Sequence, residues 1–208
     1  MNIKNNKVID YFYKLSHEPS DYKKDLVSNN SGKPYSIEYG YCLYNYVLTH
    51  KPKIIVEFGC SWGFTTIYMA KALREIGGGK IWTCDNEISR IESAKANFKL
   101  DEVDDLIDIH FVDYNEWFKT PFEFDLCYID LHNDGKKLQT IFENEFFKCQ
   151  ILKGKKVLFE GGSSHRNRIA ISRNAESFDL IKYRYNLIFG NDWDRKVISE
   201  INIDYLNE

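Results

Sequence analysis

The stretch EFGCSWGFTT, residues 57–66, places a carboxylate, two glycines and two hydroxyl side chains directly after the apolar run Ile54-Ile55-Val56. Glycine lets the backbone approach a ligand closely because it has no Cβ, and the start of a helix attracts an anionic group. An apolar strand, a glycine turn and a helix start together predict a nucleotide-like ligand. The spacing of Gly59 and Gly63 is G-x-x-x-G, which differs from the G-x-G-x-x-G of dinucleotide enzymes.

Acidic residues recur at the ends of successive predicted strands. The carboxyl ends of parallel strands meet at one edge of a sheet, so these side chains are expected to face a common cleft. They are Glu57, Asp85, Asp113, Asp130 and Glu160. One such residue alone would indicate a helix cap. Five in succession favour a hydroxyl-rich or cationic ligand, or a metal ion.

Asp85 is the most informative of these residues. It lies about 20 residues beyond the glycine turn, where a carboxylate accepts the hydroxyls of a ribose. Glu57 is predicted beside the same ligand, and its charge repels a diphosphate but attracts an ammonium or sulfonium group. The pattern therefore favours a nucleoside with a positive tail over a dinucleotide.

The elements that position these residues alternate between strands and helices. Strands are predicted at 53–58, 80–84, 107–112, 124–129, 155–159, 179–189 and 195–203. Helices are predicted at 5–16, 37–50, 65–76, 87–100, 114–119, 136–150 and 165–176, with a loop at 17–34. Near-continuous apolar strands separated by helices predict an α/β fold, with N-terminal helices and a doubly wound, seven-stranded, mostly parallel sheet. The last two strands leave no room for a helix, so an antiparallel C-terminal strand is expected.

Length and composition predict one domain and exclude several classes of protein. The 208 residues fit a single domain, 1–208, with a helical cap at 1–50 and a cofactor-binding core at 51–208. A net charge of −3 argues against nucleic acid as a partner. The chain has five cysteines and no C-x-x-C pair, which indicates reduced thiols in the cytoplasm. No apolar run is long enough to span a membrane, and the N-terminus lacks the apolar core of a signal peptide.

Three motifs carry a resemblance to a known family. EFGCSWGFT (57–65) resembles the first motif, E-x-G-x-x-x-G-[YF]-[ST], of S-adenosylmethionine-dependent methyltransferases of the Rossmann-like class. In particular it resembles that of small-molecule O-methyltransferases of the catechol and caffeoyl-CoA type. FDLCYID (124–130) and LKGKKVLFEGG (152–162) are similar to the fourth- and fifth-strand motifs of these enzymes, and the resemblance covers residues 36–162.

The resemblance implies roles for residues around the first two strand ends. Gly59 and Gly63 would line the methionine part of S-adenosylmethionine, Glu57 would support its amino group through a local network, and Thr65 would donate to its carboxylate. Asp85 would bind the ribose hydroxyls. Their neighbours complete this half of the predicted cofactor site: Cys60, Ser61 and Asn86.

The resemblance also implies roles at the third and fourth strand ends. Asp113 and Tyr114 would lie beside the adenine, and Asp130 would lie at the junction of cofactor and acceptor. The expected acceptor is a small molecule that carries a hydroxyl, such as a sugar or a natural-product intermediate. A homodimer is left open, because dimers are common in such families.

The metal-dependent members of the family carry Asp-x-Asp after the fourth strand and Asp-Asn after the fifth. This chain has Asp130-Leu131-His132 and Glu160-Gly161 instead. Asp130, His132 and Glu160 have the ligand atoms for a divalent cation such as Mg²⁺. The missing Asn leaves both the metal-dependent and the metal-independent readings open.

His132 and His165 are the candidate bases, since a neutral imidazole can take the proton of an acceptor hydroxyl. Asp130, at the same junction, completes the candidate catalytic set. Arg166 and Arg168 follow His165 and either bind an anionic acceptor group or lie on a solvated helix face.

Aromatic residues are frequent in the N-terminal region and form either a lid over the acceptor or part of the core. They are Tyr11, Phe12, Tyr13, Tyr35, Tyr39 and Tyr41. The leading hypothesis is methyl transfer to a small-molecule hydroxyl. The alternatives are a nicotinamide-dependent oxidoreductase and a non-catalytic protein that keeps the cofactor pocket.

Overall fold

The structure, a computed structural model, describes residues 37–117 and 123–206. Its strands are β1 (Ile54–Phe58), β2 (Lys80–Asp85), β3 (Ile107–Phe111), β4 (Leu126–Ile129), β5 (Lys156–Glu160), β6 (Tyr183–Phe189) and β7 (Ile198–Leu206). Its helices are α1 (Ile37–His50), α2 (Phe64–Glu75), α3 (Ile88–Leu100), α4 (Tyr114–Trp117), α5 (Gly135–Glu143), α6 (Glu145–Leu152) and α7 (Ser164–Ser172). The helix predicted at 5–16 and the loop predicted at 17–34 lie outside the described residues.

The seven strands form one sheet in the order β3-β2-β1-β4-β5-β7-β6. The strands β1 to β5 pair in parallel, and β7 pairs antiparallel with both β5 and β6. The predicted α/β fold with an antiparallel C-terminal strand is therefore confirmed. The strand order reverses between β1 and β4, which is where a doubly wound sheet opens a crevice for ligands.

Helices cover both faces of the sheet, as the near-continuous apolar strands predicted. One buried cluster joins α1 and α2 to strand residues such as Ile55. The other joins α5 and α6 to the alternate strand residues, such as Val56. Because successive side chains of a strand point to opposite faces, this alternation tells which strand residues share a face with a given helix.

The aromatic residues of α1 belong to the core where the structure describes them. Tyr39 is fully buried, and its ring meets Phe189 edge-on at a centroid distance of 5.2 Å. Tyr41 packs on Tyr68 at 5.7 Å. The other four residues of the proposed lid lie outside the described part of the chain.

The helix predicted at 136–150 is two helices, α5 and α6, which meet at Asn144. The backbone of Asn144 is non-helical, with φ −56° and ψ 125°, and its side chain accepts a hydrogen bond from the Phe147 amide. This capping ends one helix and starts the next. The change of direction lets Phe142 and Phe147 pack together, with ring centroids 6.0 Å apart.

None of the helices in the described segments is both long enough and apolar enough to cross a membrane.

Candidate active site

The glycine turn joins β1 to α2 and is tied to the end of β2. The amides of Gly59 and Cys60 both donate to the Cys84 carbonyl, each at 3.0 Å. Gly59 and Gly63 have φ values of +88° and +87°, in the left-handed region that favours glycine. The two glycines therefore hold a backbone conformation that few other residues adopt.

The space beside the two glycines is filled by protein. A Cβ on Gly59 would overlap the carbonyl oxygen of Asp130, and one on Gly63 would overlap the ring of Phe98. Both glycines were predicted to give room to a ligand. In the structure, the missing Cβ atoms instead let the loop after β4 and helix α3 pack against the turn.

Glu57 lies beneath this turn and is completely buried. Its carboxylate accepts hydrogen bonds from the hydroxyls of Thr65 (2.7 Å), Thr83 (2.8 Å) and Thr66. Burial raises the pKa of Glu57 to about 7, and the three hydroxyl donors partly offset this effect. The carboxylate is therefore poised between its charged and neutral forms near neutral pH.

The position of Glu57 restricts two predictions. Thr65 was expected to donate to the carboxylate of the cofactor, but its hydroxyl points inward and bonds to Glu57, so that contact falls to the backbone amide of Thr65. Glu57 itself has no exposed surface. Any influence on a bound amino group must therefore pass through the threonines and the turn.

Asp85 links the end of β2 to the turn. One carboxylate oxygen accepts from the Ser61 amide at 2.9 Å, and the other accepts from the Glu87 amide at 3.0 Å. Asp85 is 6% exposed, and the guanidinium of Arg90 lies 3.9 Å away. A carboxylate offers about four acceptor positions, so capacity for ligand hydroxyls remains.

A cleft of about 130 Å³ opens at the carboxyl ends of β1 to β4. It is lined by Gly59, Cys84, Asp85, Asn86, Arg90, Val112, Asp113, Tyr114, Asp130, Leu131, His132 and Lys137. The structure thus brings the predicted strand-end residues of β2, β3 and β4 together around Gly59. The remaining predicted cofactor residues form or support the turn and are absent from this lining: Glu57, Cys60, Ser61, Gly63 and Thr65.

Sequence reasoning missed two basic residues of the cleft, Arg90 and Lys137. Arg90 pairs with Glu87 at 2.9 Å, one helical turn away, a spacing that the sequence shows. Lys137 donates to the carbonyl of His132 at 3.1 Å and lies 5.9 Å from the centre of the Tyr114 ring. Lys137 lies in the first turn of α5, which follows the loop after β4.

Asp113 has a local structural role as well as a place in the cleft. Its carboxylate accepts from the Asn115 amide at 2.9 Å, at the start of α4. This is the helix-capping function that a single strand-end acid was expected to have. Tyr114, the next residue, lines the cleft beside it.

The two candidate bases lie in different places. His132 is exposed and lines the cleft close to Asp130. His165 is in the first turn of α7, where its amide donates to the Asp192 carbonyl at 3.1 Å, and it does not line this cleft. The geometry therefore separates the candidates and favours His132.

The predicted metal ligands are not assembled. Glu160 is 2% exposed and pairs with Arg166 at 2.6 Å, while Lys196 lies 3.7 Å from its other oxygen. Among the residues that the structure describes, no group of three or more His, Cys, Asp and Glu side chains could hold a metal ion. The proposed set of Asp130, His132 and Glu160 therefore finds no support, because the carboxylate of Glu160 is neutralised by basic side chains.

The arginines after His165 do not form a free anion site. Arg166 donates to the carboxylate of Glu160. This pairing supports neither the prediction that Arg166 binds the acceptor nor the prediction that it lies on a solvated helix face. Arg168 lies over the exposed ring of Trp193 at 4.9 Å.

The thiols in and beside the turn are not candidate nucleophiles. Cys60 and Cys84 are buried, and burial raises the pKa of both thiols. A thiol attacks only as its thiolate, so the chemistry of this cleft depends on other groups.

Residues 56–146 match a protein-family model described as a methyltransferase domain. This confirms the resemblance that the sequence motifs carried. No sequence among the curated proteins matches the chain significantly.

Several solved structures share the fold. An O-methyltransferase from Bacillus cereus, in complex with SAH, is 17% identical with a TM-score of 0.62, and the match covers 96% of this chain and 99% of that one. TomG, an O-methyltransferase from Streptomyces achromogenes involved in tomaymycin synthesis and solved with SAM, is 16% identical with a TM-score of 0.61. The match covers 97% of this chain and 98% of that one. An SAH-bound methyltransferase from Podospora anserina is 16% identical with a TM-score of 0.65, and the match covers 96% of this chain and 90% of that one. At these identities the likeness establishes the fold.

Proposed function

We propose that this chain, whose residues 56–146 match a methyltransferase-domain model, transfers the methyl group of S-adenosylmethionine to a hydroxyl of a small-molecule acceptor. The observation that carries the proposal is the cleft in which Asp85 and Asp130 lie on opposite sides of Gly59. A nucleoside bound at Asp85 would extend its tail across β1 towards β4. S-Adenosylmethionine has this shape, with a ribose at one end and a sulfonium in the tail.

The residues of the cleft suggest how the cofactor is held. Asp85 accepts the ribose hydroxyls while the amides of Ser61 and Glu87 fix its carboxylate. Asn86, Asp113 and Tyr114 flank the adenine. The turn presents the start of α2, which has no side-chain cap, to the carboxylate of the methionine part.

The chemistry that remains for the protein is positioning and proton removal. When bound, the cofactor supplies a methyl group activated by its sulfonium. The chain holds the acceptor in line with that methyl. His132, exposed beside Asp130, takes the proton of the acceptor hydroxyl. Neither role requires a metal ion on Glu160, which is paired with Arg166.

Two features support a small acceptor and a cytoplasmic location. The acceptor is expected to be small because the O-methyltransferase TomG, whose fold this chain shares, acts in the synthesis of a natural product. The five cysteines are all free, which suits the reducing conditions of the cytoplasm.

Cofactor binding is tested by calorimetric titration with S-adenosylhomocysteine. We expect the wild-type chain to bind it and Asp85→Asn to weaken binding by about 1–3 kcal/mol, because a ligand hydroxyl loses a charged acceptor. A reduced nicotinamide dinucleotide titrated in parallel is expected not to bind. Nicotinamide binding in place of S-adenosylhomocysteine would favour the oxidoreductase alternative and contradict the proposal.

Asp125→Asn is the matched control for this experiment. The Asp125 carboxylate also accepts two backbone amides, those of Lys53 and Ile54, but it lies at the opposite end of the sheet, just before β4. The control should retain the wild-type affinity. Equal losses in both variants would mean that Asp85 acts through the fold alone.

The role of His132 is tested by transfer of a labelled methyl group from S-adenosylmethionine to catechol, a hydroxycinnamate, a hexose and a primary amine. We expect transfer to a hydroxyl acceptor, and a fall in kcat of about 10²-fold or more in His132→Gln, because the base is lost. His165→Gln should reduce kcat far less, since His165 does not line the cleft. Transfer to the amine alone, or a larger effect at His165, would contradict the assignment. Cofactor binding without transfer to any acceptor would favour the non-catalytic alternative.

A further inference from the structure

Two buried tyrosines form a series of hydroxyl groups that ends at Asp130. The hydroxyl oxygens of Tyr39 and Tyr128 are 2.5 Å apart. The Tyr128 hydroxyl is directed at a carboxylate oxygen of Asp130, 3.5 Å away. Both tyrosines are completely buried, so this series of hydroxyl groups runs from the interior of the protein to the cleft.

The donor and acceptor of each hydrogen bond in this series follow from chemistry. An ionised carboxylate only accepts hydrogen bonds, so Tyr128 is the donor to Asp130 and Tyr39 is the donor to Tyr128. Burial, and then the charges of Asp130 and Glu160, raise the pKa of Tyr39 well above its usual value. The Tyr39 hydroxyl therefore keeps its proton at any physiological pH, and the dipoles of both hydroxyls point towards Asp130.

The sheet and α1 explain how the three groups meet. Tyr128 and Asp130 are two residues apart along β4 and its extension, so their side chains share a face of the sheet. That face is covered by α1, which supplies Tyr39 from its first turn. The Asp130 amide donates to the Phe58 carbonyl at 2.9 Å, which fixes the backbone of Asp130 beside the glycine turn.

Asp130 occupies the side of the cleft opposite to Asp85. β1 separates β2 from β4 in the sheet, and the carbonyl of Asp130 packs directly against Gly59. A nucleoside whose ribose lies at Asp85 must cross Gly59 to reach Asp130. Under the proposed function, the group placed there would be the part of the tail that carries the sulfonium.

We propose that Tyr39 and Tyr128 are positioning residues that hold the Asp130 carboxylate towards the positive centre of the bound cofactor. This inference rests on the proposed function. The site then prefers a sulfonium or an ammonium over a neutral thioether at this position. After methyl transfer the cofactor product is a neutral thioether, so the same contact favours replacement of the product by fresh cofactor.

The test compares the affinities of three ligands for the full chain by calorimetry near neutral pH. S-Adenosylmethionine and sinefungin carry a positive charge at the position in question, whereas S-adenosylhomocysteine is neutral there. The wild-type chain should bind both charged ligands more tightly. Tyr128→Phe should reduce this preference by about threefold or more, as expected when a carboxylate loses a hydrogen-bond donor, and should change the affinity for S-adenosylhomocysteine less.

Tyr39→Phe should shift the preference in the same direction but by a smaller factor, since it acts through Tyr128. Tyr46→Phe is the matched control, because Tyr46 is also on α1 and donates to a carboxylate, that of Glu200, at 2.8 Å. The control should keep the wild-type preference. A general loss of packing would weaken all three ligands together and leave their ratio unchanged.

The outcomes separate this inference from the proposed function. A wild-type chain that binds none of the ligands overturns both. Binding of all three with equal affinity, or a wild-type preference retained in Tyr128→Phe, overturns the inference and leaves the proposed function standing. A shift confined to S-adenosylmethionine would indicate packing around the methyl group, and it would also contradict a role through charge.

Discussion

At the scale of single residues, Gly59 has two roles that a larger side chain would break. Its φ of +88° lies in the left-handed region, and its missing Cβ makes room for the carbonyl of Asp130. Gly59→Ala should therefore lower the free energy of unfolding by about 2–4 kcal/mol, from backbone strain and overlap together. Urea denaturation of the two proteins measures the difference.

Gly154→Ala separates the two causes. Gly154 has a similar φ of +81°, but a Cβ there would meet nothing within 4 Å. Only the strain should remain, at about 1–2 kcal/mol. Equal losses at the two positions would show that the contact with Asp130 adds no constraint.

The sequence predicted which residues gather at the strand ends better than it predicted what those residues contact. Asp85, Asp113 and Asp130 line one cleft, as expected for parallel strands. The inward turn of the Thr65 hydroxyl towards Glu57 was not foreseen. A motif gives the position of a hydroxyl along the chain, but its rotamer depends on which buried acceptor is nearby.

At the scale of elements, near-continuous apolar runs identified the strands because both faces of this sheet are covered. The division between α5 and α6 was missed because apolar residues recur at helical spacing on both sides of Asn144. The break comes from the backbone of Asn144 and its bond to the Phe147 amide. Asn is common both at caps and on helix surfaces, so the sequence pattern does not distinguish the two.

The basic residues of the cleft were missed for a related reason. Arg90 and Lys137 line the cleft from the first turns of α3 and α5, the helices that follow β2 and β4. Similarly, the sequence predicts Glu160 as a metal ligand, whereas in the structure it pairs with Arg166 of α7. Contacts between elements depend on packing angles that a single sequence does not specify.

At the scale of the whole molecule, a row of polar groups runs across the sheet within two residues of the strand ends. Thr83, Glu57 and Tyr128 are neighbours in the parallel register of β2, β1 and β4. All three are completely buried. Glu57 supports the glycine turn through its threonines, Tyr128 is directed at Asp130, and the charge of Asp130 contributes to the raised pKa of Glu57.

The pH dependence of stability follows from the charge state of Glu57. Its pKa in the folded protein, about 7, exceeds the ordinary value of 4.5, so the folded chain holds this proton more tightly than the unfolded chain. The stabilisation by the neutral form is complete below about pH 4.5 and is lost as the pH rises through 7. Glu57→Gln cannot ionise. Its free energy of unfolding relative to wild type should therefore rise between about pH 5 and pH 8, by on the order of 1–3 kcal/mol.

Thermal and urea unfolding of both proteins across this range measure the difference. The matched control is Glu92→Gln on the exposed face of α3, which removes a carboxylate that is not buried. Its curve should run close to that of wild type. Parallel curves for Glu57→Gln and wild type would contradict the prediction, because they would mean that the three threonine hydroxyls fully compensate the burial of a charged Glu57. A divergence confined to Glu57→Gln would identify the polar row as the part of the core that responds to pH, directly beneath the turn that we propose holds the cofactor.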